Sequence, residues 1–289
     1  MSDLRVGFVG LGAMGAPMAG HLKSRGLLVA VSNRSAAKAQ AFAMAHGVAV
    51  PAKIGDLAAI CDVIALCVSA DDDVLGVVRE IAATRKHSII VVDHSTVSPP
   101  TAKQAHDLMR GAGGDFLDAP VSGGVEGAKN GKLSIMVGGD LQALERVRPV
   151  LEAYGARIGH MGAVGAGQST KAVNQVLVAG IAQAVCEGLA LGEALGLDSA
   201  VLLPTLASGA AANWFLDKRG ATMLRNEFGG GFKAALLHKD LRIVREVAQN
   251  AGTDHSIVDK SIGDLAKLMD QGYGDEEHSA LIRLKRRKN

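Results

Sequence analysis

Aromatic residues are scarce in this chain: one Trp, two Tyr and six Phe among 289 residues. Together with 36 Gly, that scarcity suits α/β packing with tight strand–helix turns better than a β-sandwich. Cysteine is also sparse. Cys61, Cys67 and Cys186 lie in apolar surroundings, have no metal-ligand spacing and are an odd number, so buried reduced thiols in a cytoplasmic protein are expected rather than a disulfide framework. Neither sign of charge is in excess, with 31 Lys and Arg against 29 Asp and Glu, which argues against nucleic acid or an anionic membrane as partner. Long apolar runs are missing as well. The longest uncharged stretch of the most apolar helix, 172–186, falls short of the roughly 20 residues a membrane span needs and contains Asn174, Gln175 and Gln183. No secretory or transit segment is expected, because "LRVGFVGLG" already reads as a strand by residue 4. The C-terminal "RLKRRKN" reads as a solvated basic tail.

What is present is an ordinary globular composition, 48% hydrophobic and 21% charged, long enough for one large domain or two smaller ones. The first half alternates short β-branched runs with helical stretches. Strands are expected at 4–10, 27–32, 62–68, 88–95, 115–122 and 133–139, with helices such as 13–25, 35–46 and 98–111 between them. Apolar strands separated by helices imply a mostly parallel sheet covered on both faces, with mixed pairing at one edge where the spacing tightens. After the glycine-rich stretch 158–167 the pattern becomes helical, at about 167–195, 199–208, 211–226, 234–251 and 256–271. The expected organisation is an α/β fold: an N-terminal Rossmann-type dinucleotide-binding domain, 1–163, then an all-α domain, 164–289, joined by a helix of ~29 residues, ~43 Å long.

"GLGAMG", Gly10–Leu11–Gly12–Ala13–Met14–Gly15, follows the first strand and opens the first helix. Glycines there allow a tight turn, close approach of a pyrophosphate and close helix–strand packing, while exposed amides and the helix dipole hold phosphates. Alone the motif also fits a structural turn; its strand–turn–helix–strand setting favours nucleotide binding. At the end of the second strand, where an acid commonly binds the ribose of NAD, "SNRSAAK" has no Asp or Glu. Arg34 can instead pair with a 2′-phosphate, with Asn33 and Ser35 as donors and Lys38 adding charge, so NADP is favoured over NAD. "DAPVSGG" (118–124) offers the Ser122 hydroxyl and the unobstructed amides of Gly123 and Gly124 to a small carboxylate, though any tight turn could read this way. Thr96, in "DHSTVSP", sits at another strand end. Lys171 and Asn174, three residues apart on a helix otherwise written for burial, share one face. Lys239 in "HKDL" is by itself an ordinary helix lysine, and no histidine has metal-ligand spacing.

"GLGAMG", "DAPVSGG", Gly167–Lys171–Asn174 in the pattern GxxxKxxN, and "KDL" at 239–241 occur in the order seen in β-hydroxyacid dehydrogenases, and the resemblance spans essentially the whole chain. That family includes 3-hydroxyisobutyrate dehydrogenase, tartronate semialdehyde (2-hydroxy-3-oxopropionate) reductase and the glyoxylate/succinic semialdehyde reductases. The resemblance implies Lys171 as catalytic acid/base and Asn174 as the residue that positions substrate. It implies Ser122, Gly123 and Gly124 as the carboxylate turn, Thr96 as a contact beside the nicotinamide, and Lys239 as a lysine of the cofactor–substrate cleft. The implied reaction is hydride transfer between NAD(P) and a short, carboxylate-bearing 3-hydroxy acid or semialdehyde. A free lysine has a pKa of roughly 10.4, so the base form needs desolvation or a nearby cation, a role open to Lys239.

Three rival readings differ in what they require. A 6-phosphogluconate dehydrogenase needs a much larger helical domain. An imine reductase shares the architecture but typically carries another residue type at the position of Lys171. A catalytically silent NADP-binding module would have no use for Lys171, Asn174 and the Ser-Gly-Gly turn together. Trp214 and Phe215 stand either near a pocket wall or as helix-packing aromatics. The many apolar helix faces, and the resemblance, lead to the expectation of a homodimer or homotetramer.

Overall fold

A computed structural model describes residues 4–84 and 88–286. The last three residues of the basic C-terminal run therefore lie outside the described residues. The chain forms two compact units, Met1–Lys171 and Ala172–Asn289.

The first unit is a sheet covered by helices. In chain order it contains β1 (Val6–Val9), α1 (Gly15–Ser24), β2 (Leu28–Ser32), α2 (Ala36–His46), α3 (Ile54–Ile60), β3 (Val63–Leu66), α4 (Asp71–Ala83) and β4 (Ile90–Asp93). Then follow α5 (Pro99–Gly111), β5 (Asp115–Asp118), β6 (Val121–Ser122), α6 (Gly124–Lys129), β7 (Leu133–Gly138), α7 (Leu141–Leu151) and β8 (Gly155–Gly162). Strands run β2-β1-β3-β4-β5, all parallel, and β5 then pairs antiparallel with β7. Successive side chains of each strand leave on opposite faces. Val63, Ala65, Ile90 and Val92 join a core with α1 and α7, while Ile64, Leu66 and Val91 join one with α3, α4 and α5. Both faces are therefore apolar, as a parallel sheet requires, and each fully buried Val, Ile or Leu contributes roughly 1.5–3 kcal/mol. Caps sharpen the helices: Ser98 accepts from Thr101 N ahead of Pro99 in α5, and Asp140 accepts from Ala143 N in α7.

Two sequence expectations change in the first unit. The segment 115–122 is not one strand but β5 and β6, separated by Ala119 and Pro120, yet both halves pair with β7 in the same antiparallel register. Proline has no N–H to give the ladder, so it interrupts the strand without shifting it. A strand not expected from the sequence, β8, runs into the glycine-rich stretch 158–167 and pairs in parallel with β7. Its residues are intermediate or exposed throughout, so the apolar alternation that reveals a strand is missing.

The second unit is helical. It is entered by α8 (Ala166–Ala194), inside which the division between units falls, and continues with α9 (Ser199–Ala207), α10 (Trp214–Leu224), α11 (Ala234–Ala251) and α12 (Ser256–Asp270). A 3-10 turn, His278–Leu284, packs Ala280, Leu281 and Ile282 into the helical core. α8 is long and apolar enough to cross a membrane by length and composition alone. Its buried Gln168, Gln175 and Gln183 nevertheless pair inside the protein, with Ser95, Asp240 and Ser261. The described part of the basic run is not a solvated tail. Arg283 pairs with Glu276, Arg286 with Glu193, and Lys285, 9% exposed, with Asp264, so acids on neighbouring segments hold it down.

The first core encloses one polar pair. His94 Nδ1 lies 2.7 Å from Ala119 O and its Nε2 2.8 Å from the Tyr154 hydroxyl, with both side chains buried. Burial lowers the His94 pKa to about 4, so the ring is neutral. A carbonyl only accepts, so Nδ1 carries the hydrogen and Nε2 accepts from Tyr154. Tyr154→Phe strips that donor from a buried nitrogen and is expected to cost about 1–3 kcal/mol, read as a lower thermal unfolding midpoint. An unchanged midpoint would show that the pair adds nothing to stability.

Candidate active site

In the β1–α1 turn each glycine has its own reason. Gly10 has φ +99°, and a Cβ there would lie 2.2 Å from Cys67 O; at Gly15 it would lie 1.9 Å from Gly10 O. A Cβ on Gly12 would meet nothing within 4 Å, which leaves that side of the turn open to a ligand. α1 has no side-chain cap and no acid in its first turn, so its N-terminus keeps its affinity for an anion. The turn lies where the chain, having placed β2 on one side of β1, crosses to β3 on the other. At such a switch point open α/β sheets bind nucleotides. Leu11, Ala13 and Met14 complete a turn that fits a dinucleotide pyrophosphate.

Asn33 has a different occupation from the one its sequence suggests. Its Oδ1 accepts from Leu11 N at 2.9 Å and its Nδ2 donates to Ser35 O at 3.2 Å, so it ties the glycine turn to the end of β2. Ser35 holds the N-cap position of α2 without a side-chain capping bond. Arg34 is 88% exposed, with Nη1 3.9 Å from Asp73 Oδ1.

Lys171 is buried in the first unit, 8% exposed, and its Nζ donates to Val121 O at 2.9 Å. It thus reaches the residue before Ser122, where the chain turns through Gly123 (φ +127°) and Gly124 (φ +62°), conformations that favour glycine. Two groups that the sequence did not single out set this geometry. Asp118 accepts from Gly165 N and Gln168 N, each at 2.8 Å, and so fixes the first turn of α8 against the end of β5. Burial raises the Asp118 pKa, opposed by its bonds to these amides. Gln168, three residues before Lys171, donates to Ser95 O at 2.7 Å and accepts from Val97 N at 3.3 Å, gripping the backbone on both sides of Thr96. Asp118 opens the "DAPVSGG" motif and Gln168 sits in "GQSTK", so position within a motif was the available signal.

In the second unit Asn174 Nδ2 donates to Gln175 Oε1 at 2.8 Å, and Gln175 Nε2 donates to Asp240 Oδ2 at 2.7 Å. Lys239 Nζ lies 3.0 Å from Asp240 Oδ1, so Asn174, Gln175, Asp240 and Lys239 are connected in series. Phe215 is buried and stacks on His278 with ring centroids 4.8 Å apart, a packing aromatic; Trp214 is half exposed, with Arg219 over its ring. Burial pushes the thiols of Cys67 and Cys186 up to about 12, which leaves them protonated and poor nucleophiles.

Asp93, at the end of β4, is fully buried; its Oδ1 accepts from Ser95 N at 2.9 Å and its Oδ2 has no hydrogen-bond partner. Burial pushes this carboxyl from 3.8 up to about 7. The unfolded chain releases the proton near 3.8 and the native one only near 7, so stability falls as pH rises through that window. Asp93→Asn cannot ionise. The denaturation midpoint of the variant, relative to wild type, is therefore expected to be higher at pH 8 than at pH 5, and parallel pH curves would refute the assignment.

Residues 5–165 match the NAD binding domain of 6-phosphogluconate dehydrogenase, and residues 165–285 match the NAD-binding family of NADP-dependent 3-hydroxyisobutyrate dehydrogenase. The chain is 34% identical to an NAD-dependent L-serine dehydrogenase of Pseudomonas aeruginosa over 97% of both chains. It is 35% identical to a 2-hydroxy-3-oxopropionate reductase of Escherichia coli over 85% of both. Among solved structures, 3-hydroxyisobutyrate dehydrogenase of Mycobacterium tuberculosis with L-serine superposes with a TM-score of 0.89 at 32% identity, covering 99% of this chain and 100% of that one. The open glycine turn at the switch point and a buried lysine bonded to Val121 O, next to the Ser-Gly-Gly turn, are thus carried on a chain that belongs to the β-hydroxyacid dehydrogenases, NAD(P)-dependent oxidoreductases that act on the CH–OH group of hydroxy acids.

Proposed function

We propose that the protein interconverts a short 3-hydroxy acid and its semialdehyde, with Lys171 as acid/base and NADP preferred over NAD. The observation that carries this reading is the 2.9 Å bond from buried Lys171 Nζ to Val121 O, which puts the amine beside the Ser122–Gly124 turn. Ser122 and the amides of Gly123 and Gly124 bind the substrate carboxylate, and Asn174, on the same helix as Lys171, orients the reacting oxygen. A bound nicotinamide supplies the hydride in reduction and accepts it in oxidation. Lys171 as an ammonium protonates the carbonyl oxygen in reduction; as a neutral amine it takes the hydroxyl proton in oxidation. Thr96, whose flanking backbone Gln168 grips, contacts the nicotinamide, and Lys239, paired with Asp240, serves the cofactor. Arg34 pairs with the 2′-phosphate of NADP, which is supported by the absence of an acid at the end of β2. The P. aeruginosa relative named an L-serine dehydrogenase favours a second substrate reading within the same chemistry, oxidation of L-serine. A homodimer or homotetramer is supported by the row of exposed apolar residues on α8, Val173, Leu177, Ile181 and Leu191.

Turnover with tartronate, methylmalonate and succinic semialdehydes, glyoxylate, 3-hydroxyisobutyrate and L-serine separates these substrates. Lys171→Ala is expected to lower kcat by about 10²–10⁴-fold while NADPH binding survives. Retained turnover in that variant would remove Lys171 from the chemistry. Arg34→Asp is expected to shift the kcat/KM ratio from NADP toward NAD; an unmoved ratio would place the 2′-phosphate elsewhere.

A further inference from the structure

β2 and β3 flank β1, so the loop after β2 and the start of α4 after β3 rim one end of the same crevice. The first carries Arg34 and the second a run of three acids, Asp71, Asp72 and Asp73, in the first turn of α4. These acids are not equivalent. Asp71 Oδ2 accepts from Thr101 Oγ1 at 2.6 Å and from Ser98 N at 3.2 Å, tying α4 to the start of α5. Asp73 faces Arg34, 3.9 Å from its Nη1. Asn33, the other polar residue of the turn, has its side chain committed to Leu11 N and Ser35 O.

We propose that Asp73 is a specificity-determining residue for the cofactor. It holds Arg34 and sets a carboxylate beside the place of the 2′-phosphate, so it penalises NADP and keeps NAD usable. The inference rests on the assignment of Arg34 to that phosphate. A phosphate entering there must draw Arg34 away from Asp73 and then remain close to a second anion. The neutral 2′-hydroxyl of NAD meets neither cost. An exposed pair such as Arg34–Asp73 is weak, so Arg34 is released readily. Like charges a few ångströms apart in largely aqueous surroundings then cost a few-fold in affinity, a tuning effect rather than a block. Asp73 therefore takes, from a neighbouring helix, the part that an acid at the end of β2 plays in NAD enzymes: opposing the 2′-phosphate.

Asp73→Asn keeps the side-chain shape, and Asp71 and Asp72 still complement the α4 dipole. Dissociation constants for NADPH and NADH are measured by nicotinamide fluorescence on the full chain, for Asp73→Asn, Arg34→Ala and the double variant. Asp73→Asn is expected to bind NADPH roughly three- to tenfold more tightly at low salt, with NADH within about twofold of wild type. The gain shrinks at high ionic strength, and it is smaller when Arg34 is already absent. Unchanged NADPH affinity, or an equal shift for both cofactors, would overturn the role of Asp73. Arg34→Ala with full NADPH affinity would instead overturn the assignment of Arg34. Loss of NADPH binding in Arg34→Ala beside an indifferent Asp73→Asn would sink the inference about Asp73 alone.

Discussion

The carboxylate of Asp118 joins the sheet to the helix that carries Lys171. Its two oxygens take the N–H groups of Gly165 and Gln168, so the exposed amides that begin α8 are satisfied by the end of β5. The approach is so close that two glycines are obligatory. A Cβ at Gly138 would lie 2.5 Å from Asp118 Oδ1, and one at Gly167 would lie 2.5 Å from Asp118 O. With the helix start fixed there, Lys171 falls one turn on, in reach of Val121 O, and Gln168 falls in reach of the backbone around Thr96. One buried acid thus sets the register of the amine, the carboxylate turn and the β4–α5 loop together.

Such an arrangement is costly. Asp93, His94, Asp118 and Gln168 are all buried near the C-terminal ends of β4 and β5. A polar group taken out of water without partners costs several kcal/mol, so each needs its bonds. His94, Asp118 and Gln168 have them. Asp93 has one oxygen bonded and one without a partner, and its carboxyl is held protonated to about 7 in consequence. A core selected for stability alone would fill these positions with apolar side chains. Their polarity makes sense as a means of holding backbone carbonyls and amides at fixed places on the rim of the sheet.

Elements that bury apolar residues periodically were legible in the sequence. The strands of the parallel sheet and the helices of the second unit fall within a few residues of their expected limits, because burial on two faces, or on one helical stripe, writes a strong pattern. β8 was not legible, since an edge strand with exposed side chains and three glycines carries no such pattern. The site divides the same way. Gly10, Gly12, Gly15, Ser122, Gly123, Gly124 and Lys171 stand in motifs with mechanical reasons of their own. Asn33 was legible as polar but not as the tie to Leu11, and Asp118 and Gln168 were passed over, because the bonds that define them reach residues 22 to 73 positions away. Asp73 lies 39 residues beyond Arg34 and meets it only because β2 and β3 both flank β1.

The presence of an amine on so apolar a helix also has a physical answer. Gln168, Lys171 and Gln175 stand at positions i, i+3 and i+7 of α8 and are 2%, 8% and 1% exposed, a buried polar stripe on a helix whose other buried positions are mostly Ala, Val, Leu and Cys. The hydrogen-bond polarity along the stripe is determined. Asp240 is acceptor-only as a carboxylate, so Gln175 must turn its NH₂ to it and its carbonyl to Asn174, whose NH₂ then faces Gln175. That order fixes which way the Asn174 amide is turned without any ligand. Lys239 closes the other side of Asp240 and offsets its buried charge. Removing Asp240 would take away the carboxylate that Gln175 and Lys239 both contact. Its burial, unfavourable by itself, is therefore best understood as preorganisation of residues 174 and 239.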